Sequence, residues 1–133
     1  MPFIFVYGTL RADEVNDIRC TASRHGLPEP GSRGWGTVAG VLYDFGDYPG
    51  LVPDTGATLV LGEVYEIDLL LIPVLDMIEE VYPGRPSLFL RTVLTVCCDD
   101  GPIDCIVYPV QADAVGAMSR IDSGDWVRYR LMR

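Results

Sequence analysis

Lysine is absent from this chain: the 133 residues carry ten basic side chains, all arginine, against 19 acidic ones, for a formal net charge of −9. Without lysine there is no amine nucleophile and no Schiff-base chemistry. The acidic balance argues against nucleic acid or an anionic membrane as partner, because both would repel such a surface. Histidine is nearly missing as well, and His25 alone cannot build a histidine-rich metal site. The four cysteines, Cys20, Cys97, Cys98 and Cys105, show no C-x-x-C spacing and read as reduced thiols. Cys97 and Cys98 are neighbours on an apparent strand, so they point to opposite faces and read as small core residues. Long apolar runs are lacking too. The N-terminal run from Phe3 is five residues, too short for a signal-peptide core and far too short to span a bilayer, so the chain reads as cytoplasmic.

What is present is enough for one domain over residues 1–133, in which about two-thirds of the unfolded surface can be buried. The stretch Phe3-Ile4-Phe5-Val6-Tyr7-Gly8-Thr9-Leu10-Arg11 reads as a buried first strand that breaks into a glycine turn. Beyond Gly8 the N–H groups of Thr9, Leu10 and Arg11 leave the ladder and are free to converge on an anion or a polarised carbonyl. An ordinary first strand and turn is the simpler reading of these nine residues alone, because strand-Gly-Thr sequences are common.

Residues 13–25 form a helix candidate, with Asp13 as N-cap and Gly26 as stop, and residues 27–32 a loop. Residues 35–45 read as a strand bent at Gly36 and Gly40, as in a coiled sheet or small barrel. Residues 44–53 are turn chemistry carrying Phe45 and Tyr48, which either line a pocket or plug the end of the sheet. Residues 58–67 form a strand with Val64 and Tyr65 on opposite faces. Strands at 89–98 and 103–110 flank the hairpin signal Asp99-Asp100-Gly101-Pro102. The first of that pair is apolar on both faces and calls for cover on two sides. Residues 112–120 read as a short helix, and residues 121–133 as a tail too aromatic to be plainly disordered.

Residues 68–81 give the strongest helix signal. Asp68 can cap it, Pro73 confines the regular part to about Pro73 onward, and Leu71, Val74, Leu75 and Ile78 follow i, i+3, i+4, i+7. At about 100° per residue Glu79 falls between Leu75 and Ile72, inside the apolar arc, whereas Glu80 stacks on Asp76 on the polar side. An inward carboxylate is costly unless paired, hydrogen-bonded or protonated. The alternative is that Glu79 reaches around to solvent or pairs with an arginine such as Arg91.

The order Val6-Tyr7-Gly8-Thr9-Leu10-Arg11, Tyr48-Pro49-Gly50-Leu51-Val52, Gly62-Glu63-Val64-Tyr65, Leu75-Asp76-Met77-Ile78-Glu79, Arg91-Thr92-Val93, Val107-Tyr108 and Ser123-Gly124-Asp125-Trp126 resembles the gamma-glutamylcyclotransferase-like family, in its small bacterial and gamma-glutamylamine-type members. The resemblance spans nearly the whole chain. It implies an α+β fold, a small mixed β-barrel of five to six strands flanked by helices, with a cavity between the loop of Tyr7, Gly8, Thr9 and Leu10 and the helix bearing a catalytic glutamate. By motif that glutamate is Glu79. The implied substrate is a small-molecule gamma-glutamyl amide, cleaved with release of 5-oxoproline and a free amine.

Such a cleavage needs no metal, cofactor or protein nucleophile, because the substrate's own α-amino group can close a five-membered ring on the γ-carbonyl. Geometry supplies much of the acceleration. Glu79 would carry the proton from the attacking amine to the leaving nitrogen, which requires an apolar setting to lift its pKa from about 4.3. The backbone N–H groups of Gly8, Thr9 and Leu10 would hold the substrate carboxylate or carbonyl oxygen. Tyr7, Tyr48 and Tyr108 would line the pocket, although the rings of Tyr7 and Tyr108 fit core packing as well. Where many members of the family place Tyr two residues before the arginine, this chain has Phe89; either Tyr48 or Tyr82 compensates or the substrate differs, and Arg85 either meets a substrate carboxylate or is a solvated loop arginine. A non-catalytic binding module on the same fold, or a purely structural domain, are the competing readings.

Overall fold

Side-chain alternation along the first strand sets the architecture. In the computed structural model, which describes residues 2–56, 58–81 and 87–133, Phe3–Val6 (β1) sends Phe5 into one apolar cluster and Ile4 and Val6 into another. A period of two makes this separation automatic. β1 pairs antiparallel with Leu59–Glu66 (β4) and parallel with Gly101–Val107 (β6). Gly31–Asp44 (β2) runs antiparallel to β4 through its first half and Thr92–Cys98 (β5) pairs with β6. Pairing of β2 with β5 closes the ring, giving a five-stranded mixed barrel. Pro49–Pro53 (β3) and Ser119–Arg120 (β7) pair with the far end of β2, outside the ring. Gly36 stands where β2 contacts both β4 and β5; a Cβ there would meet Val96 Cγ1 at 2.6 Å, so the barrel closes tightly only around a residue without one.

Phe5, Val38, Val60, Val64, Val96 and Val107 fill the barrel, and Trp126 joins them. Ile4, Val6, Tyr65, Ile67 and Tyr108 cover the outer face against Ile18–Arg24 (α1) and Leu71–Ile78 (α2). Val64 and Tyr65 thus do lie on opposite faces. Each fully buried leucine such as Leu75 contributes the stability that truncation to Ala would remove, about 2–5 kcal/mol.

Several expected boundaries move. α1 begins at Ile18, capped by Asp17 and not Asp13, since Asp17 Oδ1 accepts the Arg19 N–H at 2.9 Å while Asp13 is in a left-handed turn with φ 66°. Gly26, φ 66°, ends it as expected. The expected loop over residues 44–53 shrinks to a turn, because β3 pairs with β2 from Asp44↔Pro49 to Gly40↔Pro53; as an outer strand it tolerates a proline at each end. α2 begins at Leu71, two residues before Pro73, which fits inside the first turn where its missing N–H has no partner to lose. β5 is covered on one face only. Val93 and Cys97 face solvent because α1 and α2 pack on the β1, β4 and β6 side, so Cys97 is not a core residue.

The expected helix over 112–120 reduces to a 3-10 turn, Ala112–Ala114, followed by β7. The tail forms a third helix, Trp126–Met132 (α3), capped by Asp125, whose Oδ1 accepts the Arg128 N–H. Tyr82 and Arg85 lie outside the described residues. Among the described residues no helix is long and apolar enough to cross a membrane.

Candidate active site

The C-terminal end of β1, the turn at 44–49, the end of α2 and residues 87–89 surround a cavity of about 510 Å³. All seven residues singled out from the sequence, Tyr7, Gly8, Thr9, Leu10, Tyr48, Glu79 and Tyr108, lie on its wall.

Glu79 reaches the wall through the way α2 stops. Its N–H still donates to Leu75 O at 2.9 Å, but Glu80 turns left-handed, φ 56°, its N–H donating to Met77 O and the Val81 N–H reaching back to Asp76 O at 2.8 Å. This double bond pattern is a Schellman termination. Helical periodicity ends before Glu80, which is exposed, as its polar-side placement expects, and also borders the cavity along with Glu79. The Glu79 carboxyl makes no hydrogen bond or ion pair with a described residue, and none of its oxygens is an orphan sealed from solvent, so they open on the cavity. Arg91, the alternative partner, is taken by Asp76. Burial without a stabilising donor pushes the Glu79 carboxyl up to about 7. The negative end of the α2 dipole acts in the same direction.

Opposite lies the turn after β1. Gly8 is required by a close approach: a Cβ would lie 2.7 Å from Pro49 Cγ. The Arg11 N–H, expected to be free, instead closes the turn on Gly8 O at 3.0 Å. The N–H groups of Gly8, Thr9 and Leu10 have no partner among the described residues. Asn16 secures this loop, its N–H donating to Thr9 O at 2.9 Å and Nδ2 to Thr9 Oγ1 at 3.2 Å. Glu63 secures its far end, with Oε2 accepting from Arg11 Nε at 3.1 Å and Oε1 from the Ala12 N–H at 2.9 Å and from Tyr65 Oη at 2.7 Å. Glu63, which the sequence reading did not single out, stands in the motif Gly62-Glu63-Val64-Tyr65, and its role as a loop anchor depends on β4 lying beside β1 and was not readable from spacing.

The tyrosines divide. Tyr7 Oη donates to Tyr108 O at 2.7 Å and accepts the Leu51 N–H at 3.2 Å, so its phenol is a core strut whose ring faces the cavity. Tyr108 Oη donates to Asp76 Oδ1 at 2.6 Å, and Asp76 also holds Arg91. Burial raises both phenols far above the ordinary tyrosine range, with the Glu79 charge adding to it at Tyr7 and the Asp76 hydrogen bond and charge at Tyr108. Tyr48 stacks on Phe45 at 5.6 Å and tilts against Phe89 at 5.7 Å; its hydroxyl has no partner among the described residues. Among those residues no group of three or more His, Cys, Asp or Glu side chains is disposed to hold a metal ion.

Taken together, the cavity presents a carboxyl poised to exchange a proton at neutral pH, a set of unpartnered backbone N–H donors and aromatic walls. A homologue from Halalkalibacterium halodurans is 38% identical over 94 residues, covering 69% of this chain and 82% of its own. The gamma-glutamylaminecyclotransferase of Rattus norvegicus is 35% identical over 119 residues, covering 81% and 77%. The crystal structure of YkqA from Bacillus subtilis superposes with a TM-score of 0.73 at 27% identity, covering 98% of this chain, which spans 41% of that longer one. The family model described as gamma-glutamyl cyclotransferase, AIG2-like, matches residues 4–128, and the chain belongs to that family.

Proposed function

We propose that this cyclotransferase releases a gamma-glutamyl group as 5-oxoproline from an amine or amino acid, with Glu79 as the general acid and base. The observation that carries the reading is the Glu79 carboxyl, open to the cavity, without a partner among the described residues, and raised to about 7 by burial. A base with a pKa near the working pH takes and returns a proton most effectively.

The reaction closes without another nucleophile. The substrate's α-amino nitrogen attacks the γ-carbonyl carbon, forming the ring C–N bond; Glu79 takes the proton this nitrogen sheds and delivers it to the amide nitrogen as the old C–N bond breaks. The products are the lactam and a free amine, and Glu79 ends as it began. Charge that builds on the carbonyl oxygen, or the fixed charge of the α-carboxylate, suits the N–H groups of Gly8, Thr9 and Leu10, which need no reorganisation to meet it. The aromatic walls hold the substrate folded, and a well-held intramolecular pair reaches effective molarities of about 10⁵ M or more. Tyr48, lying against Phe89 with its hydroxyl free of described partners, supplies the phenol that Phe89 lacks. The rat relative's name, which specifies gamma-glutamylamines, supports an amine as leaving group.

The test is mass-spectrometric detection of 5-oxoproline from a panel of gamma-glutamyl amino acids, amines and peptides, with Tyr48→Phe beside the wild type. Release from at least one member, slowed in Tyr48→Phe, is expected. Silence across the panel, with binding of a gamma-glutamyl compound retained, would favour a non-catalytic binder.

A further inference from the structure

The cavity wall is fastened at three places to α3, an element the proposed chemistry does not use. Asp125, the α3 cap, accepts from Arg11 Nη1 at 2.8 Å, just beyond the loop with the unpartnered N–H groups. Glu14, next to the wall residues Val15 and Asn16, accepts from Trp126 Nε1 at 3.1 Å and from Arg130 Nε and Nη2 at 3.0 and 2.6 Å. Across the mouth, Asp44 Oδ2 accepts from Tyr129 Oη at 2.6 Å and Gly46 O from Arg133 Nη2 at 2.7 Å, just before the wall residues Asp47 and Tyr48.

Among the described residues these bonds are the long-range side-chain ties of residues 13–16 and 44–48, beside the Glu63 anchor at Arg11 and Ala12. Otherwise the 44–48 turn is held by the pairing of Asp44 with Ser119 and Pro49 and by its own bonds, Phe45 N–H to Tyr48 O and Gly46 N–H to Asp44 Oδ1, and the 13–16 segment bonds within residues 9–21. A shallow groove shared by Arg130, Arg133, Glu14 and Asp47 continues the mouth outward.

We propose that α3 is a positioning element of the cavity: Arg130, through Glu14, and Tyr129, through Asp44, hold the two mouth loops at the spacing in which the backbone N–H groups and Glu79 engage one substrate. The inference rests on reading the cavity as the gamma-glutamyl site. A mouth ordered in advance spares the substrate the cost of ordering it, so the gain falls on binding and leaves proton transfer alone.

The test combines kinetics with hydrogen exchange on Arg130→Met, Arg130→Lys and Tyr129→Phe, using the best gamma-glutamyl amide of the wild type. Arg130→Met is expected to raise KM about tenfold with kcat and its pH midpoint within about twofold, and Arg130→Lys, which keeps the charge without the fork, to fall between. Tyr129→Phe, a single-hydroxyl change, guards against failure of Arg130→Met to fold and is expected to move KM the same way. Backbone amides of residues 13–16 and 44–48 should exchange faster in the variants, with the barrel strands unchanged. Unchanged KM in folded variants, or a loss of kcat alone, would overturn the proposal. Were the wild type inactive, the reading of the cavity would fail while the exchange arm still decided the clamp: faster loop exchange would support it and unchanged exchange would overturn it.

Discussion

A buried carboxyl that opens on a cavity wall beside Ile78, with no donor among the described residues to stabilise its ion, keeps its proton up to about pH 7. If Glu79 is the base, kcat/KM rises with pH through about 7 as the carboxylate forms, and a pH–rate profile flat from about pH 5 to 9 would contradict this. The same group makes a stability prediction. Its folded pKa lies above the unfolded value, so its contribution is fully present below the unfolded pKa and is lost as pH rises through about 7. Glu79→Gln should therefore be the more stable protein at about pH 8, by up to about 3 kcal/mol, and equal to the wild type at about pH 4, as denaturant titrations at the two pH values would show. Gly8→Ala tests the opposite wall. Its methyl would meet Pro49 at 2.7 Å, costing about 1–3 kcal/mol in melting experiments and displacing the N–H groups, with a loss of turnover larger than the loss of folded protein.

Among the elements, α2 shows how much local pattern can settle. The apolar stripe of Leu71, Leu75 and Ile78 placed Glu79 on the inner arc before any fold was known, and the carboxyl does open inward. One residue later Glu80 is exposed, as its polar-side placement expects, but the end of the helix was not readable, because a Schellman turn with a non-glycine at its left-handed position leaves no periodic trace. Glu80→Gly relieves that conformation and should stabilise the protein by about 1 kcal/mol, read as a raised Tm. The missed elements share a physical reason. Both β3 and α3 are short: β3 pairs with adjoining β2 across the 45–48 turn but carries a proline at each end, which reads as loop, and α3 draws its order from distant Glu14 and Asp44. The α1 start was misplaced because Asp13 and Asp17 both satisfy the capping signal, and only the left-handed turn at Asp13 separates them.

At the scale of the whole molecule, one alternation runs through the design. Residues of β1, β4 and β6 send alternate side chains into the barrel and outward beneath α1 and α2, and the strand that carries this alternation ends in the cavity loop. Barrel closure was legible from the glycine-bent strands, and the cavity residues from the motif order; what spacing withheld was their division of labour. Tyr7 is bound up between Tyr108 O and the Leu51 N–H, and Asp76 occupies the Arg91 that was a candidate partner for Glu79. Those assignments follow from strands that meet only in three dimensions. The measurement that bears most directly on the whole account is 5-oxoproline release by Glu79→Gln beside the wild type, with binding of the same gamma-glutamyl amide measured on both. The account predicts turnover lost by about 10²-fold or more with binding retained. Undiminished release by Glu79→Gln would contradict it.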